Sequence, residues 1–189
     1  SGSVDRVRGR AFTLVTYSSL SGKHRLEAWI ALLALTAGTP DTGGPWQAHV
    51  IGRYGKGPKL LSLGNLAPDE ARSILRDLVA VRDLGLRGPL PFAPKTSFDY
   101  AKQLYDARGR HESKALEAAR ARFERFHDNN DPALAALYGA TPRLDIWLDP
   151  PAPEELWPPA AGKGPPVPSR FGHTAMRVWH PALTRGAGA

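Results

Sequence analysis

At 189 residues and 20.5 kDa, the chain suits one domain, or one domain with long appendages, and can bury about two thirds of its unfolded surface without staples. It has no cysteine, which excludes disulfides, thiolate zinc sites, iron–sulfur clusters and cysteine nucleophiles. The net charge of +7 is uneven: residues 1–66 hold 8 basic and 3 acidic groups, whereas residues 67–140 hold 12 and 11. A basic front points to an anionic partner, nucleic acid first, with mere solubility as the plain alternative.

In chain order, Ser1-Gly2-Ser3 reads as a cloning remnant and no secretory signal is recognisable. Val4 and Val7 alternate with charges and suit the tail of a preceding strand. The β-branched and aromatic run Arg10–Tyr17 predicts a strand that stops at Ser18-Ser19. Leu26, Trp29, Ile30, Leu33 and Ala34 have helical spacing and predict a helix over 23–35, apolar all round in its second half and so sandwiched in a core. The longest apolar run, Ala28–Ala37, is about half a bilayer span, so no membrane association is expected and a cytoplasmic location is. Residues 46–54 and 59–63 read as two strands of a hairpin turning at Gly55-Lys56-Gly57-Pro58.

Residues 68–84 form the clearest amphipathic helix, burying Ala71, Ile74, Leu75, Leu78 and Val79 and closed by Gly85. The proline-rich stretch 88–94 is irregular. Helices follow over 97–108, 112–126 and 132–137, the second burying Leu116, Ala119, Phe123 and Phe126. Residues 149–168 carry eight of the eighteen prolines and read as a surface linker. A last helix covers 171–183, after which Arg185-Gly186-Ala187-Gly188-Ala189 frays. Strands in front and helices behind predict a mixed α/β fold, with a domain at 4–148, the linker at 149–168 and a C-terminal helix at 169–185 packing back on it.

Catalytic signatures are weak. No nucleophile elbow accompanies the serines and histidines, and His173 and His180 are seven apart on one helix with no neighbouring carboxylate, so no metal is expected. Ile51–Lys59 lacks phosphate-loop spacing, though Arg53, Lys56 and Lys59 can touch phosphates from a hairpin tip. Metal-dependent nucleases of the restriction-enzyme class need an Asp followed by an acidic-x-Lys triplet on an adjacent strand. Here Asp69 and Glu112-Ser113-Lys114 supply the letters on helices, where residues two apart diverge by about 160° and cannot share a metal. Asp145 and Asp149 flank an apolar triplet that suits a strand end, but no lysine follows before Lys163. The richest spot is the helix start at Ser18, Ser19, Lys23, His24 and Arg25. Cations in a first turn oppose the dipole, and a bound phosphate or carboxylate reverses that sign; splayed or internally paired side chains are the alternative.

The run Thr16–Trp29 into Leu32–Thr36 resembles the C-terminal domain of RecC, the gamma subunit of exodeoxyribonuclease V. In order along the chain, Gly85–Pro91, Asp131-Pro132 with Leu137-Tyr138-Gly139, and Ser169–Gly172 with Ala175, Arg177, Trp179, Pro181 and Leu183 resemble the same family, together covering about residues 4–183. The resemblance implies a restriction-endonuclease-like core of the PD-(D/E)xK type that has lost its catalytic residues, with added helices. It implies RecB and RecD-like subunits as partners, contact with RecD, and a share in handling double- and single-stranded DNA in a complex for double-strand-break repair and recombination. No cofactor is implied. The proline-rich stretch and His127-Asp128-Asn129-Asn130 depart from the family's pattern.

Three function classes compete. The leading one is a non-catalytic assembly domain, with Trp46, Trp147, Trp157 and Trp179 as candidate anchors against a largely core role. The second is a magnesium-dependent nuclease, and the third a free-standing, sequence-independent DNA-binding module. Neither a helix-turn-helix nor a stacking platform is recognisable in the sequence.

Overall fold

The computed structural model describes residues 3–39, 43–108, 110–125, 128, 131–139, 142–153 and 167–187. The fold is α/β, with five strands and six α-helices among the described residues: β1 (Val7–Arg8), β2 (Ala11–Ser19), α1 (Gly22–Gly38), β3 (Gln47–Tyr54), β4 (Gly57–Leu63), α2 (Pro68–Arg87), α3 (Pro94–Asp106), α4 (Glu112–Arg125), α5 (Pro132–Tyr138), α6 (Arg170–Thr184) and β5 (Gly186–Ala187). Two compact units share the chain. One holds residues 1–79 and 181–189, the other residues 80–180.

The first unit is a mixed sheet in the order β1-β2-β3-β4-β5. Among the described strands only β2 and β3 are parallel, and α1 makes the crossover between them that a parallel pair requires. Period-two alternation sends Phe12, Leu14, Ala48, Val50, Leu61 and Leu63 into one core with Ala28, Trp29, Leu32 and Leu33 of α1 and Ala71 and Ile74 of α2. Ile30 is exposed, so α1 keeps one face in water and is not sandwiched.

Several boundaries differ from the sequence expectation. Strand β2 runs through Ser18 and Ser19, because an irregularity after Val15 lets Ser19 pair with Arg53. The hairpin turns on Gly55 and Lys56 alone, with Gly55 at φ +61 and Gly57 and Pro58 already in β4. Gly85 does not close α2, which runs on to Arg87; Val79 is exposed and Val81 is buried in its place. The expected fraying after α6 is corrected at Gly186-Ala187, which pairs with Ser62 and Leu63 of β4. There Arg185 donates to the Asn65 carbonyl and to Glu70.

The second unit is helical. Phe98, Tyr100, Ala101 and Leu104 of α3 and Ala115, Ala119 and Phe123 of α4 are buried. Trp147 stacks on Phe171 and meets Phe123 and Tyr138 edge-on. Trp179 packs on Phe92 and Phe98 and donates its indole N–H to Ser97 Oγ at 3.0 Å. Trp46, Trp147 and Trp179 are therefore core residues and not exposed anchors; Trp157 lies outside the described residues, as does most of the proline-rich stretch, 154–166.

His180 meets the Tyr105 ring edge-on, and burial pulls its pKa below the ordinary 6.5. The folded state therefore binds fewer protons than the unfolded chain between those two values. Stability should be full above about pH 6.5 and fall as pH drops through the lowered folded value. Thermal melts from pH 7.5 to 5 should show a decline that His180→Gln flattens; parallel curves for the two proteins would contradict this.

Candidate functional site

Parallel strands β2 and β3 end side by side at the N-terminus of α1, the place where open α/β sheets most often present ligand-binding groups. Ser19 and Arg53 are register partners, with the guanidinium 3.5 Å from Ser19 Oγ, and Leu20 N–H donates to the Arg53 carbonyl at 2.8 Å. Gly52 is where these strands close up: a Cβ there would lie 2.5 Å from Leu20 Cδ2 and 2.9 Å from Thr16 Cγ2.

Of the expected site residues, the fold pairs Ser19 with Arg53 and gives His24 a contact within its own helix start. Ser18, Ser19 and Arg53 lie at this edge, and Lys56 occupies the hairpin turn that follows β3. Ser18 gives its backbone N–H to Thr16 Oγ1 at 3.1 Å. Lys59 pairs across the hairpin with Gly52 and sets its ammonium 4.7 Å from the Tyr54 ring centroid. Lys23 is exposed in the first turn of α1, with Arg25 half-buried behind it.

His24 has a structural task there. Its Nδ1 accepts from the Ser21 backbone N–H at 3.3 Å and lies 3.1 Å from Ser21 Oγ, a capping box in which imidazole takes the usual place of glutamate. The sequence reading missed Tyr17, 99% exposed, and Tyr54, 64% exposed. Their signal was an aromatic residue next to a strand irregularity and another next to a two-residue turn.

The carboxylates that a nuclease reading needs are placed elsewhere. Glu112 opens α4 and accepts from the Tyr100 hydroxyl at 3.0 Å. Burial first, and Glu112 second, push the Tyr100 phenol far above its ordinary range, so it stays a donor. Asp69 pairs with Arg72 one turn on. Asp145 lies in a 3-10 turn, Leu144–Trp147, and not at a strand end, held between Arg120 at 2.9 Å and Arg143 at 3.2 Å. Among the described residues, no three His, Asp or Glu side chains gather as a metal-binding group, and no helix is long and apolar enough to cross a membrane.

The arrangement is that of an α/β domain with a cationic, serine-lined strand edge and with Asp69, Glu112 and Asp145 committed to internal pairs. The family model described as RecC C-terminal domain matches residues 1–105. The chain is 48% identical over 103 residues to the RecBCD enzyme subunit RecC of Mycolicibacterium smegmatis, covering 53% of this chain and 9% of that protein. It is 34% identical over 184 residues to the RecBCD enzyme subunit RecC of Mycobacterium tuberculosis, covering 97% of this chain and 16% of the relative. The chain belongs to the RecC C-terminal domain family, and it spans well under a fifth of the length of those curated relatives. No solved structure matches it.

Proposed function

We propose that the chain is a non-catalytic domain of a cytoplasmic RecC subunit, with a restriction-endonuclease-like ancestry, serving double-strand-break repair and recombination. It assembles with RecB and RecD subunits and contributes sequence-independent contact to DNA. One observation carries the non-catalytic part of this reading: the acidic-x-Lys triplet lies on α4, with Glu112 held by the Tyr100 hydroxyl and Lys114 about 160° around the helix from it, so the two cannot serve one metal-bound water. The DNA part rests on Ser18, Ser19, Lys23, Lys56 and Lys59 around the end of β2 and the hairpin after β3, which suits phosphate contacts that position a strand without reading bases.

The test uses end-labelled linear duplex and single strands with magnesium or manganese. Uncleaved DNA with weak, salt-sensitive binding is expected. Replacing both Lys56 and Lys59 by alanine should weaken binding to all sequences alike and reduce the salt slope by about one per cation removed. Metal-dependent cleavage that survives Glu112→Ala but disappears with Asp145→Ala would overturn the reading.

A further inference from the structure

The sheet has one face packed under α1 and another left open. On the open face three aliphatic side chains line up across three strands. Val15 pairs with Ile51 and Ile51 pairs with Leu60, and they are 64%, 39% and 56% exposed. Strands lie about 4.8 Å apart, so this row is about 10 Å long, close to the width of one helix. The row on one side is Thr13, His49 and Ser62, with His49 Nδ1 3.0 Å from Ser62 Oγ. The row on the other side is Ser19, Arg53 and Pro58. Beyond Thr13, toward the start of β2, Ala11 pairs with Arg8 of β1.

No residue of the five strands is acidic. In residues 3–39 the acids are Asp5 and Glu27, both ion-paired with Arg6, and Glu27 belongs to α1 on the packed side. The open face is thus an aliphatic bar with Arg53 beside it and Arg8 farther out, and with no carboxylate of its own. Scattered exposed apolar residues are ordinary; here three lie aligned on adjacent strands of an open sheet face, where one partner can cover them together.

We propose that this face, centred on Val15, Ile51 and Leu60, docks an acidic amphipathic helix of a partner subunit. The helix would lay its aliphatic stripe on the row and turn its carboxylates toward Arg53 and Arg8. This deepens the assembly role proposed above and rests on it. Charge selects the occupant: a second copy would bring arginine against arginine, which costs affinity. A nucleic-acid strand would find aliphatic side chains in the row, where base stacking needs aromatic ones.

The test is calorimetric titration of the chain with purified mycobacterial RecB and RecD subunits, each in turn. Wild-type chain should bind one of them, Leu60→Asp should weaken that binding at least about tenfold, and Arg53→Glu should weaken it while Arg53→Lys preserves it. The substituted side chains are exposed, so unchanged circular dichroism and melting certify the fold, and Leu60→Ala gives a milder second variant. Wild-type binding that Leu60→Asp, Leu60→Ala and Arg53→Glu all leave intact would overturn this face and leave the assembly reading standing. Binding to neither subunit would overturn both. Loss with Leu60→Asp but not with Arg53→Glu would overturn the acidic partner, and self-association of the wild type abolished by Leu60→Asp would make the occupant a second copy.

Discussion

Asp128→Ala should destabilise the protein by about 2–3 kcal/mol, a fall of about 5–10 °C in melting temperature for a chain of this size. Helix α3 begins after Ala93, which has no side chain able to cap. The missing acceptor comes from far along the chain: Asp128 Oδ2 takes the Thr96 backbone N–H at 2.9 Å and the Thr96 hydroxyl at 2.7 Å, and Lys95 stands 3.9 Å from its other oxygen. Thr96 is fully buried and Asp128 nearly so. Removing the carboxylate therefore strands an N–H that water cannot reach, and it also takes a negative charge from the positive end of α3. Asp128→Asn keeps one carbonyl acceptor and should cost about half as much. In a double-mutant cycle, Thr96→Val should lose most of its own cost once Asp128 is alanine, because the two share one interaction. An Asp128→Ala protein that melts with the wild type would refute the capping role.

That contact also shows where sequence reading stops. Periodicity and turn chemistry are local, and they gave the helices of both units, the β3–β4 hairpin and part of the core, with Trp29, Leu33, Ala71 and Ile74. Residue 128 was legible only as part of a stretch that departs from the family's pattern, because nothing in a local window says that it will reach a helix 32 positions earlier. The same holds for β5. Gly186 and Ala187 have no strand propensity, and they pair with β4 because α6 delivers them to an unpaired edge. At the strand edge, Ser19 and Arg53 were both singled out from the sequence, but their meeting depends on an irregularity after Val15 that no residue pattern announces. His24 was legible only as a basic-capable group of the first turn, whereas its position three residues after Ser21 also brings its ring to the N-cap. The open row Val15, Ile51 and Leu60 was legible only as alternation within each strand. Its alignment required the register of three strands, which is tertiary information.

Gly172→Ala should cost about 2–3 kcal/mol, although alanine is the better helix former by about 1 kcal/mol. Gly172 lies in the first turn of α6, buried, where a Cβ would stand 2.5 Å from the Tyr100 hydroxyl oxygen, 3.1 Å from Tyr100 Cζ and 2.9 Å from Ser169 Oγ. Ser169 Oγ already accepts the Gly172 backbone N–H at 3.1 Å and so fixes the start of the helix. Tyr100 has little freedom to withdraw, since it is fully buried, packs edge-on against Phe171 and donates to Glu112. The added methyl must either push α6 off α3 or break the Tyr100–Glu112 hydrogen bond, leaving a buried hydroxyl without its acceptor. The rescue separates these routes. Tyr100→Phe removes the oxygen nearest the new methyl, so Gly172→Ala in that background should cost less than half of what it costs in the wild type. If Gly172→Ala is neutral or stabilising, the close packing of α6 on Tyr100 is refuted. If its cost is undiminished by Tyr100→Phe, the strain comes from Ser169 and the backbone instead, and Ser169→Ala is then the variant that should relieve it.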